Sequence, residues 1–134
     1  MPVALEIVSP SKLVLSRPVD MVVIPAEEGD MGVLEGHTPM IVMLRGGAIS
    51  LYAGEQVSER LFVAGGFAEV TQERCTVLAT EVVPVADLRR AEGERRLAEA
   101  EADYEAADKS DVAVEDGLLV RIQSARAMVE TAEA

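Results

Sequence analysis

A glycine- and acid-rich segment at residues 27–39 (EEGDMGVLEGHTP) is the part of the sequence that most resembles a ligand loop. Glycine-rich loops cradle phosphate when they end in Gly-Lys-Ser/Thr and lead into a helix. This segment lacks that ending, precedes apolar runs typical of strands, and carries four carboxylates that would repel phosphate. The sequence therefore predicts a set of turns that need glycine backbone angles, and no phosphate site.

His37 is the only histidine of the chain, and Cys75 is the only cysteine. His37 has no second His or Cys nearby in sequence to share a metal ion, and no serine stands in a nucleophile-elbow motif. A structural hydrogen bond within the loop is the role expected of His37, with Glu35 as a candidate partner. Cys75 belongs to a strand-like run with Val and Leu and is expected in the core. We predict no catalytic residue and no metal site.

Charge and composition exclude several classes of partner. The 134 residues carry a formal net charge of −12, so the chain would repel nucleic-acid phosphates and anionic lipid headgroups. No stretch approaches the roughly 20 apolar residues of a membrane helix. A single cysteine forms no internal disulfide, which suits a reducing compartment. We expect a cytosolic protein that reaches a membrane only through a protein partner.

The first 84 residues have the pattern of an antiparallel β-sandwich. Short runs rich in Val, Leu and Ile, some of them alternating with polar residues, are separated by Gly or Pro every eight to twelve residues or so. No long helical pattern interrupts them, which argues against βαβ units. The predicted strands cover residues 3–7, 13–15, 19–24, 40–44, 48–52, 57–64, 67–71 and 75–83.

Residues 85–134 predict a separate antiparallel two-helix hairpin. Proline is absent, and Ala, Glu and Arg dominate. Asp87 is the expected N-cap of the first helix, a polar turn follows at residues 108–111, and Ser110 or Asp111 is the expected second cap. The apolar stripes are Leu97, Ala100, Tyr104 and Ala107 on the first helix, and Val114, Leu118, Ile122, Ala125 and Val129 on the second. An alanine-rich seam buries little surface, so the hairpin is expected to be held weakly.

Three motifs in order along the chain resemble the epsilon subunits of bacterial F-type ATP synthases. Residues 28–34 (EGDMGVL) and 36–39 (GHTP) are similar to the signature loop of that family. Residues 62–70 (FVAGGFAEV) resemble its Gly-Gly hairpin, and residues 75–79 (CTVLA) its last sandwich strand. The resemblance continues through both predicted helices and so covers essentially the whole chain.

The resemblance implies a non-catalytic subunit that forms the rotating central stalk together with the gamma subunit. The sandwich would grip gamma and rest on the c-subunit ring, at the cytoplasmic face of the bacterial inner membrane. Proton-driven rotation would then pass to the alpha/beta catalytic head. By this resemblance Asp30 and Ser9 face the ring, and Gly36 and His37 belong to the same interaction region. No cofactor is implied.

An alternative that the resemblance leaves open is an ATP-sensing subunit. In some family members an Asp-x-x-Arg-Ala segment binds ATP and holds the hairpin folded. Here the segment reads Asp87-Leu88-Arg89-Arg90-Ala91, so Arg90 would meet phosphate and Asp87 an adenine or ribose group. Ala86 replaces the family's Leu or Ile, and Asp87 can equally be a plain cap. We therefore expect ATP to be at most a weak regulatory ligand.

The same resemblance implies that the hairpin can open and block hydrolysis by entering the catalytic head. Residues 111–134 contain two cations, Arg121 and Arg126, against five carboxylates. An acidic helix is a poor ligand for an acidic partner. The sequence thus predicts weak inhibition at most.

Overall fold

The computed structural model describes residues 2–133, which form ten strands, one 3₁₀ helix and two α-helices. The strands are β1 (Val3–Ser9), β2 (Lys12–Val19), β3 (Met21–Ala26), β4 (Gly29–Val33), β5 (Met40–Leu44), β6 (Gly47–Ala53), β7 (Gln56–Val63), β8 (Gly66–Val70), β9 (Arg74–Ala79) and β10 (Val82–Pro84). The helices are the 3₁₀ turn Val85–Asp87, α1 (Arg90–Ala106) and α2 (Val112–Thr131).

The ten strands form one continuous hydrogen-bonded sheet that folds over into a sandwich. One half has the order β2-β1-β9-β8-β5, and the other has β4-β3-β6-β7-β10. The two halves join where Ala26 of β3 pairs with Leu44 of β5. The predicted β-sandwich followed by a helical hairpin is confirmed, and the strand pairs are antiparallel except β1–β9, which is parallel. These two strands are far apart in sequence, so no hairpin turn dictates their direction.

The core lies between the two halves and is built from aliphatic side chains. Alternate residues of each strand point inward, as the pleat of a strand requires, so β1 buries Val3, Leu5 and Ile7 while Ala4 stays exposed. The same cluster contains Ile24, Ile49, Leu51, Val63, Val70, Cys75 and Val77, each at most 1% exposed. Cys75 is in the core, as predicted.

The acidic glycine-rich segment differs from the prediction because it contains a strand. Residues 27–39 were expected to be turns, yet Gly29–Val33 pairs with β3 over five residues. Glycine and aspartate have low strand propensity, which hid the element. Val33 is fully buried, and pairing with β3 outweighs the unfavourable local composition. The predicted strands 19–24 and 75–83 are each divided at a turn, after Val19 and after Ala79.

The cap predicted for the first helix is wrong. Asp87 ends the 3₁₀ turn, and α1 begins at Arg90 after Arg89, whose side chain makes no capping bond. Leu88 is 3% exposed because it packs beside Phe62, which keeps the chain extended where a helix start was expected. Of the two residues predicted as the cap of α2, Ser110 and Asp111, the structure has Asp111. Its carboxylate accepts from the backbone N–H groups of Ala113 and Val114.

The hairpin lies folded against the sandwich. Ala100 and Ala125 of the predicted stripes are buried, whereas Val114 is 45% exposed. The stripes omitted Met128, which joins Phe62, Leu88 and Ala132 in a small cluster between the two regions. Between Pro2 and Glu133, neither helix is long and apolar enough to cross a bilayer.

Candidate functional site

A row of apolar side chains crosses the outer face of the β2-β1-β9-β8-β5 half. Met43 pairs with Phe67, Phe67 with Leu78, Leu78 with Val8, and Val8 with Leu13. Directly paired residues project from the same face, so these five form a continuous line, which we call the apolar row. Met43 and Leu13 are each 55% exposed, and Phe67 and Leu78 each 38%. Adjacent exposed apolar side chains of this kind make this face a candidate interaction surface.

Ser9 is the last residue of β1 and lies at one end of the apolar row, where the chain turns into β2. Its hydroxyl donates to the carbonyl of Lys12 at 3.3 Å, which helps to close the turn. Beside it, Val8, Phe67 and Leu78 line an almost entirely apolar pocket of about 420 Å³. Ser9 is therefore next to the exposed apolar surface.

Asp30 lies near the other end of the row, directly after the β3–β4 turn. Its carboxylate accepts from Nη2 of Arg45 at 2.7 Å, and its side chain is 64% exposed. A pocket of about 460 Å³ separates this turn from β5 and is lined by Asp30, Met31, Met43 and two further acids, Glu27 and Glu28. An acidic rim around an apolar groove suits a partner loop that carries a cation.

Gly36 and His37 lie at the opposite end of the sheet from Ser9 and Asp30. Gly36 adopts a φ of 85° and its N–H donates to the carbonyl of Gln72 at 2.7 Å, in the turn between β8 and β9. The His37 Nδ1–H donates to the carbonyl of Thr38 at 2.8 Å. The loop hydrogen bond predicted for His37 is therefore present, with Thr38 as partner and not Glu35. Both residues lie beyond the Met40 end of β5, while Ser9 and Asp30 lie towards its Leu44 end.

A third pocket, of about 520 Å³, opens between the hairpin and the sandwich. Arg95, Arg96 and Arg121 line it. Each guanidinium already pairs with a carboxylate inside the chain: Arg95 with Glu92 and Glu99, Arg96 with Glu81 and Glu92, and Arg121 with Asp103. Hydrogen bonds from Arg95 and then Arg96 lower the pKa of the Glu92 carboxyl to about 2. The positive charge facing the pocket is thus largely neutralised.

The residues predicted for nucleotide binding do not line this pocket. Asp87 is exposed at the end of the 3₁₀ turn. The Arg90 guanidinium donates to the carbonyl of Ala132 at 3.4 Å, at the end of α2. The structure therefore does not bring Asp87 and Arg90 together with the arginines of the pocket.

The lone cysteine and the lone histidine of the sequence both have structural surroundings. Burial raises the pKa of the Cys75 thiol to about 11, which keeps it protonated and unreactive. His37 is engaged with its neighbour. Within residues 2–133, no three His, Cys, Asp or Glu side chains are grouped so that they could hold a metal ion.

The apolar row was not predicted, although the sequence carries a signal for it. Residues 40–44 (MIVML) are apolar on both faces of a strand, and Ile41 is 68% exposed beside Met43. A strand that is apolar on both faces is normally covered by other protein surface on both faces. This reasoning could have marked β5 as an interface strand before the fold was known.

Comparison with known proteins gives consistent matches along the chain. The family described as ATP synthase, Delta/Epsilon chain, beta-sandwich domain matches residues 2–85. The ATP synthase epsilon chain of Granulibacter bethesdensis is 61% identical over 129 residues, covering 96% of each chain. That of Gluconacetobacter diazotrophicus is 48% identical over 132 residues, covering 98% of this chain and 94% of its own.

Solved structures share the fold at low sequence identity. A chain in the Euglena gracilis mitochondrial ATP synthase (OSCP/F1/c-ring) superposes with a TM-score of 0.78 at 23% identity, covering 95% of this chain and 79% of that one. A chain in the Tetrahymena thermophila mitochondrial ATP synthase central stalk and c-ring gives 0.71 at 13% identity, covering 97% and 96%. At these identities the likeness shows a common fold.

Proposed function

Because this chain belongs to the ATP synthase epsilon-chain family, we propose that it is a non-catalytic rotor subunit that transmits c-ring rotation through the central stalk. The observation that carries the proposal is the apolar row, an exposed line of side chains with Ser9 at one end and Asp30 near the other. A free-standing protein rarely leaves so continuous an apolar line in water.

The gamma subunit is the partner we assign to the apolar row. The cores of protein interfaces are apolar and depleted in charge, and the row meets that description along five neighbouring strands. Met43 and Phe67 lie at the β5 end of the row and are 55% and 38% exposed. They are the side chains we expect to dominate the affinity.

The c-subunit ring is the partner we assign to the acidic β3–β4 turn and to Ser9. A cationic or polar loop of the ring would enter the groove between this turn and β5. Asp30 already pairs with Arg45, so a partner cation would have to share or displace that bond. Membrane attachment, at the cytoplasmic face of the inner membrane, would then occur only through the complex. Gly36 and His37 would belong to a separate contact at the far end of the sheet.

We assign no catalytic residue and no cofactor. The alpha/beta head would carry the chemistry, and the hairpin would reach that head only by leaving the sandwich. The second helix offers Arg126 and an Arg121 that already pairs with Asp103, so inhibition of hydrolysis through this helix should be weak.

An ATP-sensing role is the second candidate, favoured by the three arginines of the pocket between the hairpin and the sandwich. ATP would have to displace Glu81, Glu92, Glu99 and Asp103 from those arginines. Breaking several charge-assisted bonds opposes binding. Isothermal titration of the isolated chain should show no binding at micromolar ATP, and micromolar affinity would establish this role.

The test of gamma binding is a pull-down with purified gamma subunit. Met43→Ser and Phe67→Ser should each weaken capture about tenfold, the usual effect of losing an anchoring side chain. Val57→Ser is the matched control, because Val57 is 45% exposed on a strand of the other half. Capture that falls equally for all three variants, or for none, would remove the apolar row from the interface.

The test of ring contact is Asp30→Arg in the reconstituted enzyme. Reversal should reduce proton pumping relative to ATP hydrolysis, since it also sets two arginines against each other at Arg45. Asp30→Asn separates loss of charge from repulsion, and Glu28→Arg reverses a nearby acid that lines the same groove. Normal coupling in Asp30→Arg would show that the c-subunit ring does not contact Asp30.

A further inference from the structure

Residues 45–47, which join β5 to β6 and include the first residue of β6, are called the connector here and are held from two sides. Gln123 of α2 forms two reciprocal hydrogen bonds with the Gly46 peptide: the Gly46 N–H donates to Oε1 and Nε2 donates to the Gly46 carbonyl, both at 2.8 Å. On the other side, Arg45 bonds Asp30 through its guanidinium and the Pro25 carbonyl through its own N–H, at 2.9 Å.

Both glycines of the connector are needed for this close approach. A Cβ on Gly46 would lie 2.7 Å from the Cα of Ser124, which is backbone and cannot rotate away. A Cβ on Gly47 would lie 2.9 Å from Pro25 and 3.0 Å from the Arg45 guanidinium. Both glycines are buried. Their φ angles are not positive, so it is close packing and not an unusual backbone angle that requires glycine here.

We propose that this connector is a latch that holds the hairpin on the sandwich and couples hairpin closure to the acidic turn that carries Asp30. The Gln123 side chain binds the Gly46 peptide, and only glycine leaves room for α2 at this position. The ion pair of Asp30 with Arg45 holds the connector from the opposite side. A change at the acidic turn therefore alters the position of the peptide to which α2 is attached.

The apolar cluster between the hairpin and the sandwich, which includes Phe62 and Met128, does not by itself fix one position of the helix, because apolar packing is not directional. Two amide hydrogen bonds to one peptide form in a single geometry and are lost together when the helix moves. The latch therefore restricts the contact between the hairpin and the sandwich to one closed arrangement.

The experiment measures the position of the hairpin in the isolated full chain, so its outcome does not depend on the identity of any partner. Nitroxide labels on Ser11→Cys and Lys109→Cys report the distance between the exposed β1–β2 turn and the hairpin tip. The buried Cys75 thiol should not react with the label. Pulsed EPR should give a single distance for the parent chain.

Gln123→Met keeps the length of the side chain but removes both hydrogen bonds. It should raise the open, long-distance population on the order of tenfold. Gly46→Ala should do the same by steric clash. Gly117→Ala is the control on the same helix, because a Cβ there meets nothing within 4 Å. If Gly46→Ala disturbs the sandwich itself, the result for Gln123→Met alone tests the latch. A distance distribution in Gln123→Met identical to that of Gly117→Ala would overturn the latch.

Coupling to the acidic turn is measured at the Gly46 amide, whose proton is held by Gln123. Asp30→Asn should speed its hydrogen exchange about two- to fivefold, the scale expected for an exposed ion pair. Glu28→Gln neutralises a neighbouring acid for which the structure shows no ion pair with Arg45. Equal exchange in these two variants would show that Asp30 plays no part in the latch.

Discussion

The sandwich and the hairpin are stabilised by different forces. The sandwich buries a continuous aliphatic cluster in which Leu5, Ile7 and Leu51 have no exposed surface. The helices bury Gly93, Ala100, Ala125 and Met128, of which only Met128 is a large side chain. The small apolar cluster around Phe62 and Met128 joins the hairpin to the sandwich, and two polar contacts add to it: the Gln123 bonds and the bidentate pair of Arg96 with Glu81.

This difference predicts how each region responds to change. Burial of apolar area is non-directional, whereas hydrogen bonds require a defined geometry and exposed ion pairs are weakened by salt. One region should therefore behave as a rigid platform and the other as an element that can move. The following experiments test that contrast, from the largest expected effect to the smallest.

Removing a large side chain from the sandwich core should have the largest effect. Leu51→Ala should lower the free energy of unfolding by about 2–5 kcal/mol, because a cavity remains where the side chain was. Leu118→Ala, on the half-buried face of α2, should cost clearly less. Urea denaturation measures both. Equal losses would mean that the hairpin is as tightly packed as the sandwich.

Deleting the hairpin should leave a folded sandwich with reduced stability. Residues 1–84 were predicted to be a domain, but Phe62 is fully buried partly by Leu88, Met128 and Ala132. A chain ending after residue 88 should melt cooperatively and lose about 1.5–3 kcal/mol, roughly the value of exposing one large apolar side chain. Ending after residue 84 also removes Leu88 and should cost more. A non-cooperative melt of both would show that the helices complete the core.

The ion pair between the hairpin and the sandwich should contribute less to stability than the core side chain or the whole hairpin. Arg96 and Glu81 meet at 2.6 and 2.9 Å, with side chains about one third exposed. A double-mutant cycle with Arg96→Met and Glu81→Gln should give a coupling energy of about 0.5–1 kcal/mol. Arg121 with Asp103 is the control, since that pair is more exposed and lies within the hairpin. A larger coupling for the control would contradict the role assigned to Glu81.

Acid should loosen the helices slightly before it affects the sandwich. The folded-state pKa of Glu92 is about 2, below its ordinary value of 4.5, so its stabilising effect is complete above pH 4.5 and is lost as pH falls towards 2. Helical circular dichroism should therefore decline in this window. The loss should be smaller in Glu92→Gln, which cannot titrate. An identical decline in both chains would assign the effect to other carboxylates.

The sequence predicted the elements that follow simple periodicity and missed those that depend on distant contacts. Alternation located most strands, and the polar turn narrowed the second cap to Ser110 or Asp111. Strand β4 was missed because its stability comes from β3 and not from its own residues. Asp87 failed as a cap because Leu88 is held by Phe62, a contact that no local pattern reveals.

The candidate site likewise contains residues that the sequence indicated and a surface that depends on distant contacts. Asp30 and Ser9 came from a resemblance, and the structure places both beside exposed apolar surface, whereas Gly36 and His37 lie at the far end of the sheet. The apolar row itself follows from strand register across five strands. Register is set by turns and bulges, such as the shift between Ile7 and Val8 in β1, and could not be predicted from composition.

The parallel pairing of β1 with β9 has a consequence for synthesis of the chain. Strand β1 leaves the ribosome first, yet Ile7 pairs with Val77, roughly 70 residues later. At about 5–20 residues per second, the first strand waits about 4–14 s for this partner. The pair brings together the start and the end of the sandwich, so the fold closes late, as expected for contacts of high sequence separation. During that interval a nascent-chain chaperone would find Leu5 and Ile7 without their final cover, and the helices would emerge only as the platform that receives them is completed.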